Sequence, residues 1–225
     1  MKTRTITLLH VIFALIVILE LRGRLQANIQ TEYFVKPLIM IWIASYFILS
    51  RKKRSFTIPV LAAFFFSWVG DNFLMFSEKN ELFFFAGVGG FFLAQLSYIY
   101  VFSKFKEKEA KGFLQRNLWI SLLFIAYVAG VLVLLFPGLE GVMKPIITIY
   151  ALSLIGMSMM ALNRSGRVGV NSFRLVFAGS LLFLISDSMI AFDKFHSPLP
   201  QAGFWIMVTY VSAQYLIMRG LILEE

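Results

Sequence analysis

Two aspartates stand where the chain is otherwise fit for lipid: Asp71 in FFFSWVGDNFLMF and Asp187 in SDSMIAF. Asp71 is the sole charged residue between Ser55 and Ser77. A bare charge at the centre of a bilayer costs roughly 2.5 to 3.5 kcal/mol on insertion scales, so each carboxyl requires a partner. Two carboxyls brought together in a low dielectric would share a proton, one neutral while the other stays ionised. That arrangement supplies a general acid and a general base to one substrate, as two-carboxylate hydrolases need. The alternative role for either residue is a hydrogen bond that fastens one helix to another.

The surroundings of the aspartates are duplicated. KPLI at 36 returns as KPII at 144, GDNFLMF at 70 as SDSMIAF at 186, and LAQLSY at 93 as SAQYLI at 212. The order is the same both times, so Asp71 and Asp187 are equivalent positions of two repeats. Both precede the outer end of an apolar run by five or six residues, about 8 to 9 Å at 1.5 Å per residue. If the runs that carry them face a common axis, the carboxyls meet across it.

Other polar residues recur with them. Lys36 and Lys144 are expected to begin their helices at the outer interface, each followed by a proline suited to a first turn. They either snorkel to the interface, or turn inward to pair with an aspartate or hold a phosphate as a point charge. Gln95 and Gln214 lie deeper, and each shares a helix face with a tyrosine, Tyr98 at i+3 and Tyr210 at i−4. These residues, with Tyr150, would either pack helices together or line a substrate cavity.

The elements that must position these side chains follow from composition. Of 225 residues, 59% are hydrophobic and only 15% charged, the balance of a polytopic membrane protein. Runs long enough to cross a bilayer fall near 5–21, 33–50, 56–76, 82–103, 117–136, 143–162, 173–193 and 201–222. Their length and the lack of alternation predict helices, the all-α class, because backbone in lipid must satisfy itself. One eight-helix domain over 1–225 is expected, with repeat one near 5–103 and repeat two near 117–222. An even number of helices per repeat makes the repeats parallel, related by a pseudo-twofold axis along the membrane normal. The run at 5–21 lacks a small-x-small cleavage site after it and reads as a retained helix rather than a signal peptide.

Charge sets the direction. An inside N-terminus puts Lys2, Arg4, Arg51, Lys52, Lys53, Arg54, Lys104, Lys106, Lys108, Lys111, Arg116, Arg164, Arg167, Arg174 and Arg219 on one side. Only Arg22, Arg24, Lys36, Lys79, Lys144 and Lys194 remain outside, so both termini are expected in the cytoplasm of a cell-membrane protein. The net charge of +9 is thereby used in topology, and no nucleic-acid partner is implied. RKKR at 51–54 reads as a topology anchor or as a site for an anionic headgroup.

Several chemistries are excluded. The chain has no cysteine and two histidines, His10 and His196, so thiol catalysis and a multi-histidine zinc site have nothing to build on. No metal or cofactor is expected. No Gly-x-Ser-x-Gly elbow occurs. GVGG at 87–90 follows no strand and reads as a close helix crossing rather than a phosphate loop. The sequon at Asn163 falls in an expected cytoplasmic loop.

Taken in order, KP, GD, AxxxxFFLAQLSYIYVF, YALSLIGMSMMA, AGSLLFLISDSMIAF and TYVSAQYLIMRG resemble the YhhN-like family, which includes the lysoplasmalogenases. The resemblance runs from about Lys36 to Gly220. It implies an eight-helix membrane hydrolase that cleaves the vinyl ether bond of a lysophospholipid substrate drawn from the lipid bilayer. The products would be a fatty aldehyde and glycerophosphoethanolamine or glycerophosphocholine. The family's two intramembrane aspartates map onto Asp71 and Asp187; which is acid and which base is left open. Many members carry Ala-His where this chain has Ala94-Gln95. From the residues alone, a proton-coupled lipid or small-molecule transporter with duplicated halves is the competing class, and a structural protein clamped by its aspartates is a third.

Overall fold

A computed structural model describes residues 3–51, 57–104 and 111–223. Lys2, Lys52, Lys53, Arg54, Lys106 and Lys108, part of the charge argument above, lie outside the described residues. The remainder is helical: α1 (Thr3–Leu25), α2 (Ile29–Ser50), α3 (Thr57–Leu74), α4 (Glu81–Lys104), a one-turn α5 (Phe113–Arg116), α6 (Ile120–Leu135), α7 (Met143–Leu162), α8 (Val170–Phe195) and α9 (Ala202–Ile222). Among the described residues, all but α5 are long and apolar enough to cross a membrane, α6 together with the 3-10 turn Phe136–Gly138 that continues it, which makes eight spans and no strand. The chain divides into two compact units, residues 1–97 and 98–224, with the boundary inside α4.

In the first unit α1 packs on α2 and α2 on α3. The α1–α2 contact is aromatic: Phe13 stacks on Trp42 with centroids 4.2 Å apart, and the Trp42 indole N–H donates to the Leu9 carbonyl at 3.0 Å. Phe47 meets Phe64 edge to face at 5.7 Å. The close crossing expected at GVGG is present, because a Cβ on Gly90 would stand 2.7 Å from the backbone N of Gly70. Gly70 precedes Asp71, so this crossing fixes the carboxyl's helix against α4. Gly87 is similarly tight against Leu74, while Gly89 faces open space.

α2 begins one turn earlier than the apolar pattern predicts. Asn28 caps it, its side-chain oxygen accepting from the Thr31 N–H at 3.1 Å. The polar first turn is held further by Arg24, whose Nη1 meets Glu32 Oε2 at 2.9 Å. Lys36 therefore does not open a helix. It lies seven residues beyond Ile29, about 10 Å along the axis, and Pro37 is inside α2 rather than in its first turn. Lys144, by contrast, is the second residue of α7, and Pro145 follows it in the first turn as expected.

In the second unit α8 and α9 form the most extensive pairing. Glycines permit it: a Cβ on Gly179 would lie 2.8 Å from the Ala213 carbonyl, and one on Gly220 would lie 3.0 Å from the Ser172 carbonyl. The Ser172 hydroxyl donates to the Gly220 carbonyl at 2.8 Å and accepts from Arg164 Nη2 at 3.1 Å. Arg164, counted above among the cations expected on the cytoplasmic side, is only 1% exposed and sets its guanidinium 5.4 Å from the Phe102 centroid. Asn163 of the sequon is buried too and accepts from the Leu114 N–H at 3.1 Å, which ties α5 to α7.

Candidate active site

Asp71 occupies the last turns of α3 with 3% of its surface exposed. Lys36 Nζ stands 3.5 Å from its Oδ1, and the lysine itself is buried at 7%. Of the two inward roles open to the lysines, pairing with an aspartate is therefore the one Lys36 plays. Breaking such a pair costs on the order of 3 to 5 kcal/mol, because the surviving charge is left without compensation.

The pair continues into a chain of charges. Arg24 bridges Glu20 and Glu32, Nε to Glu20 Oε1 at 3.1 Å and Nη1 to Glu32 Oε2 at 2.9 Å. Lys36 interacts electrostatically with Glu20 and Arg24 as well as with Asp71. Sequence reasoning passes over Glu20, since a glutamate near Arg22 and Arg24 reads as the edge of a span. The signal that finds it is the i,i+4 spacing of Glu20 and Arg24 inside a helix that runs on to Leu25.

Asp187 is placed differently. It is 6% exposed, on α8, and its Oδ2 accepts a hydrogen bond from the Tyr150 hydroxyl at 2.5 Å. Tyr150 comes from α7, so the structure moves it from a possible cavity wall to the carboxyl itself. The next residue, Ser188, gives its hydroxyl proton to the Leu184 carbonyl at 2.7 Å. Tyr127 of α6, 2.8 Å from Ser188 Oγ, is thus the donor in that contact. Lys144 is exposed.

The deeper polar residues are all buried. Gln95 and Gln214 have no exposed surface, Tyr98 none and Tyr210 3%. Tyr98 donates to Gln214 Oε1 at 2.5 Å, and Gln214 Nε2 donates to the Tyr210 hydroxyl at 3.4 Å. Gln214 and Tyr210 share a face as their spacing predicts, but the hydroxyl of Tyr98 serves Gln214. Beside Asn72, an open groove of about 530 Å³ is walled by Trp68, Phe73, Phe76 and Phe83. Among the described residues, no group of three or more His, Cys, Asp or Glu side chains could hold a metal ion.

Eight apolar helices with two buried aspartates, each met by a polar side chain from a neighbouring helix, define a multi-pass membrane protein with intramembrane acids. The chain belongs to the YhhN family, whose sequence model matches residues 31–221. It is 31% identical over 183 residues to the lysoplasmalogenase TMEM86B of Homo sapiens, covering 81% of this chain and 72% of that protein. The lysoplasmalogenase TMEM86B of Sus scrofa is 33% identical over 67% of this chain, and the lysoplasmalogenase TMEM86A of Bos taurus 29% identical over 68%. Those alignments span 58% and 60% of the two relatives. No solved structure matches the chain.

Proposed function

We propose that this protein is a lysoplasmalogenase-type hydrolase of the cell membrane. Its reaction would cleave the vinyl ether of a lysophospholipid to a fatty aldehyde and glycerophosphoethanolamine or glycerophosphocholine. Two supports carry this reading: relatives bearing the name, and buried carboxyls at duplicated landmarks. The observation that carries the mechanism is the unlike company of the acids, an ammonium beside Asp71 and a neutral phenol beside Asp187.

A vinyl ether breaks when its outer alkene carbon takes a proton. The oxocarbenium ion that results captures water, and the hemiacetal collapses to an aldehyde and the glycerol hydroxyl. The sequence needs one acid, one anion and one water, much as paired carboxyls act in glycoside hydrolysis. An ammonium balances an ionised carboxylate, so we give Asp71 the role of the anion that stabilises the cation and activates water. Asp187 then delivers the proton, with Tyr150 fixing its orientation. That the two act on one bond rests on the sequence duplication, as do the parallel repeats, while the cytoplasmic termini rest on the distribution of Lys and Arg. Lys144, exposed at the start of α7, is the lysine we assign to the headgroup phosphate. Tyr98, Tyr210 and Gln214 hold the end of α4 to α9.

The test is aldehyde release from an alkenyl lysophosphatidylethanolamine by the purified protein in mild detergent, with ester and alkyl ether analogues as controls. Turnover of the vinyl ether alone is expected. No release from a folded protein, with either headgroup and across pH, would reject the hydrolase in favour of the transporter.

A further inference from the structure

Glu20 has no exposed surface, and while its Oε1 accepts from Arg24, its Oε2 is buried with no hydrogen-bond partner. A buried carboxylate oxygen in that position is costly unless it is neutralised. The charges around it are supplied by three helices. Glu20 interacts with Arg24 on its own helix and with Lys36 and Glu32 on α2; Lys36 in turn interacts with Asp71 on α3, with Arg24 and with Glu20. Arg22, Glu78, Lys79 and Glu81, the ionised residues nearby in sequence, are exposed. The linked set therefore holds three carboxyls, Glu20, Glu32 and Asp71, against two cations, Arg24 and Lys36. Fully ionised, it would carry one uncancelled negative charge, with Glu20, Lys36 and Asp71 buried and only Arg24 and Glu32 partly exposed, and a single bound proton removes it.

Geometry says where that proton belongs. Asp71 has the ammonium at 3.5 Å and Glu32 the guanidinium at 2.9 Å, whereas Glu20 leaves one oxygen unanswered. We propose that Glu20 is held as a neutral acid and that its proton leaves Lys36 to Asp71, which makes Glu20 a positioning residue for the anion of the site. Its consequence for catalysis rests on the hydrolase reading; the proton itself does not. Glu20 and Arg24 also precede the stretch matched by the family, residues 31–221, so the device is argued from this chain's own residues.

The test is infrared spectroscopy of the purified protein at neutral pH, read at the carbonyl stretch of a protonated carboxyl. All variants are made on Asp187→Asn, so that no proton on that acid contributes. The parent is expected to show the band. Glu20→Gln should remove it, and so should Asp71→Asn, since either leaves two acids facing two cations. Lys36→Gln should strengthen it. Glu20→Asp keeps the count and should keep the band, which separates a lost proton from a lost fold. A parent without the band overturns the proposal. So does a band that survives in Glu20→Gln or in Asp71→Asn, or one unchanged in Lys36→Gln. Because no substrate is involved, the result stands whether or not the protein hydrolyses vinyl ethers.

Discussion

The two units hold their aspartates by different means. In the first, Asp71 ends a chain of ionisable groups that runs from α1 through α2: Glu20, Arg24, Glu32 and Lys36. In the second, α7 and α6 bring neutral hydroxyls, Tyr150 to Asp187 and Tyr127 to Ser188. The sequence repeat aligns Lys144 with Lys36, yet Lys144 never reaches the acid. Counted from the helix starts, the residue that matches Lys36 is Tyr150: each lies seven residues beyond its first helical residue, Ile29 or Met143. What decides a residue's partner is its depth along the helix, and α2 gained depth when Asn28 and Arg24 drew its start toward α1. One motif, with unlike starts, thus gives one carboxyl an ammonium and the other a phenol.

If the unlike environments make an anion and an acid that serve one reaction, the largest effects come from removing either carboxyl. Asp71→Asn and Asp187→Asn should each lower vinyl ether turnover by on the order of 10² to 10⁴-fold, the contribution of a positioned acid or base. Single-turnover aldehyde release measures it, with thermal unfolding confirming the fold. A loss confined to one variant would mean that the other aspartate is structural, and the comparison would become one of site against clamp.

The lysines separate the units by stability. Lys36→Met removes the ammonium beside the buried Asp71 and should cost roughly 3 to 5 kcal/mol, whereas Lys144→Met, at an exposed helix start, should stay within about 0.5 kcal/mol. Denaturation in detergent compares them directly. Equal costs would restore the symmetric reading in which both lysines do the same work. Tyr150→Phe falls between, losing a hydrogen bond to a carboxyl worth about 1.5 to 3 kcal/mol if that group is charged. A cost near 1 kcal/mol would fit a neutral Asp187 and sharpen its role as the acid.

How much of this is legible in the sequence depends on what each signal measures. The spans are legible because apolar length is a property of the run itself, and α7 matches its expected bounds of 143–162. The aspartates are legible for the same reason, as charges out of place. The start of α2 is not, since its first turn is polar and is held by a cap and by an arginine from the preceding helix. Every error about Lys36 and Pro37 descends from that start. Glu20 escapes notice because its burial comes from the packing of α1 on α2, a tertiary contact that the pattern of residues around it does not encode. Tyr150 is visible as polar, but which acid it meets is a matter of packing between α7 and α8.

The smallest effect probes the helix that precedes each repeat's lysine. In the first unit α1 brings charge; in the second α6 (Ile120–Leu135) carries no charged residue and offers Tyr127, 39% exposed, to Ser188. Tyr127→Phe removes one neutral hydrogen bond, and because Ser188 keeps its own bond to the Leu184 carbonyl, no buried donor is stranded. A cost of about 0.5 to 1 kcal/mol is therefore expected, the ordinary net value of such a bond, with the Tyr150 contact and turnover nearly unchanged. A larger loss of turnover than of stability would show that α6 orients Asp187 through Ser188. The second unit would then have a supporting chain after all, built from hydroxyls where the first uses ions.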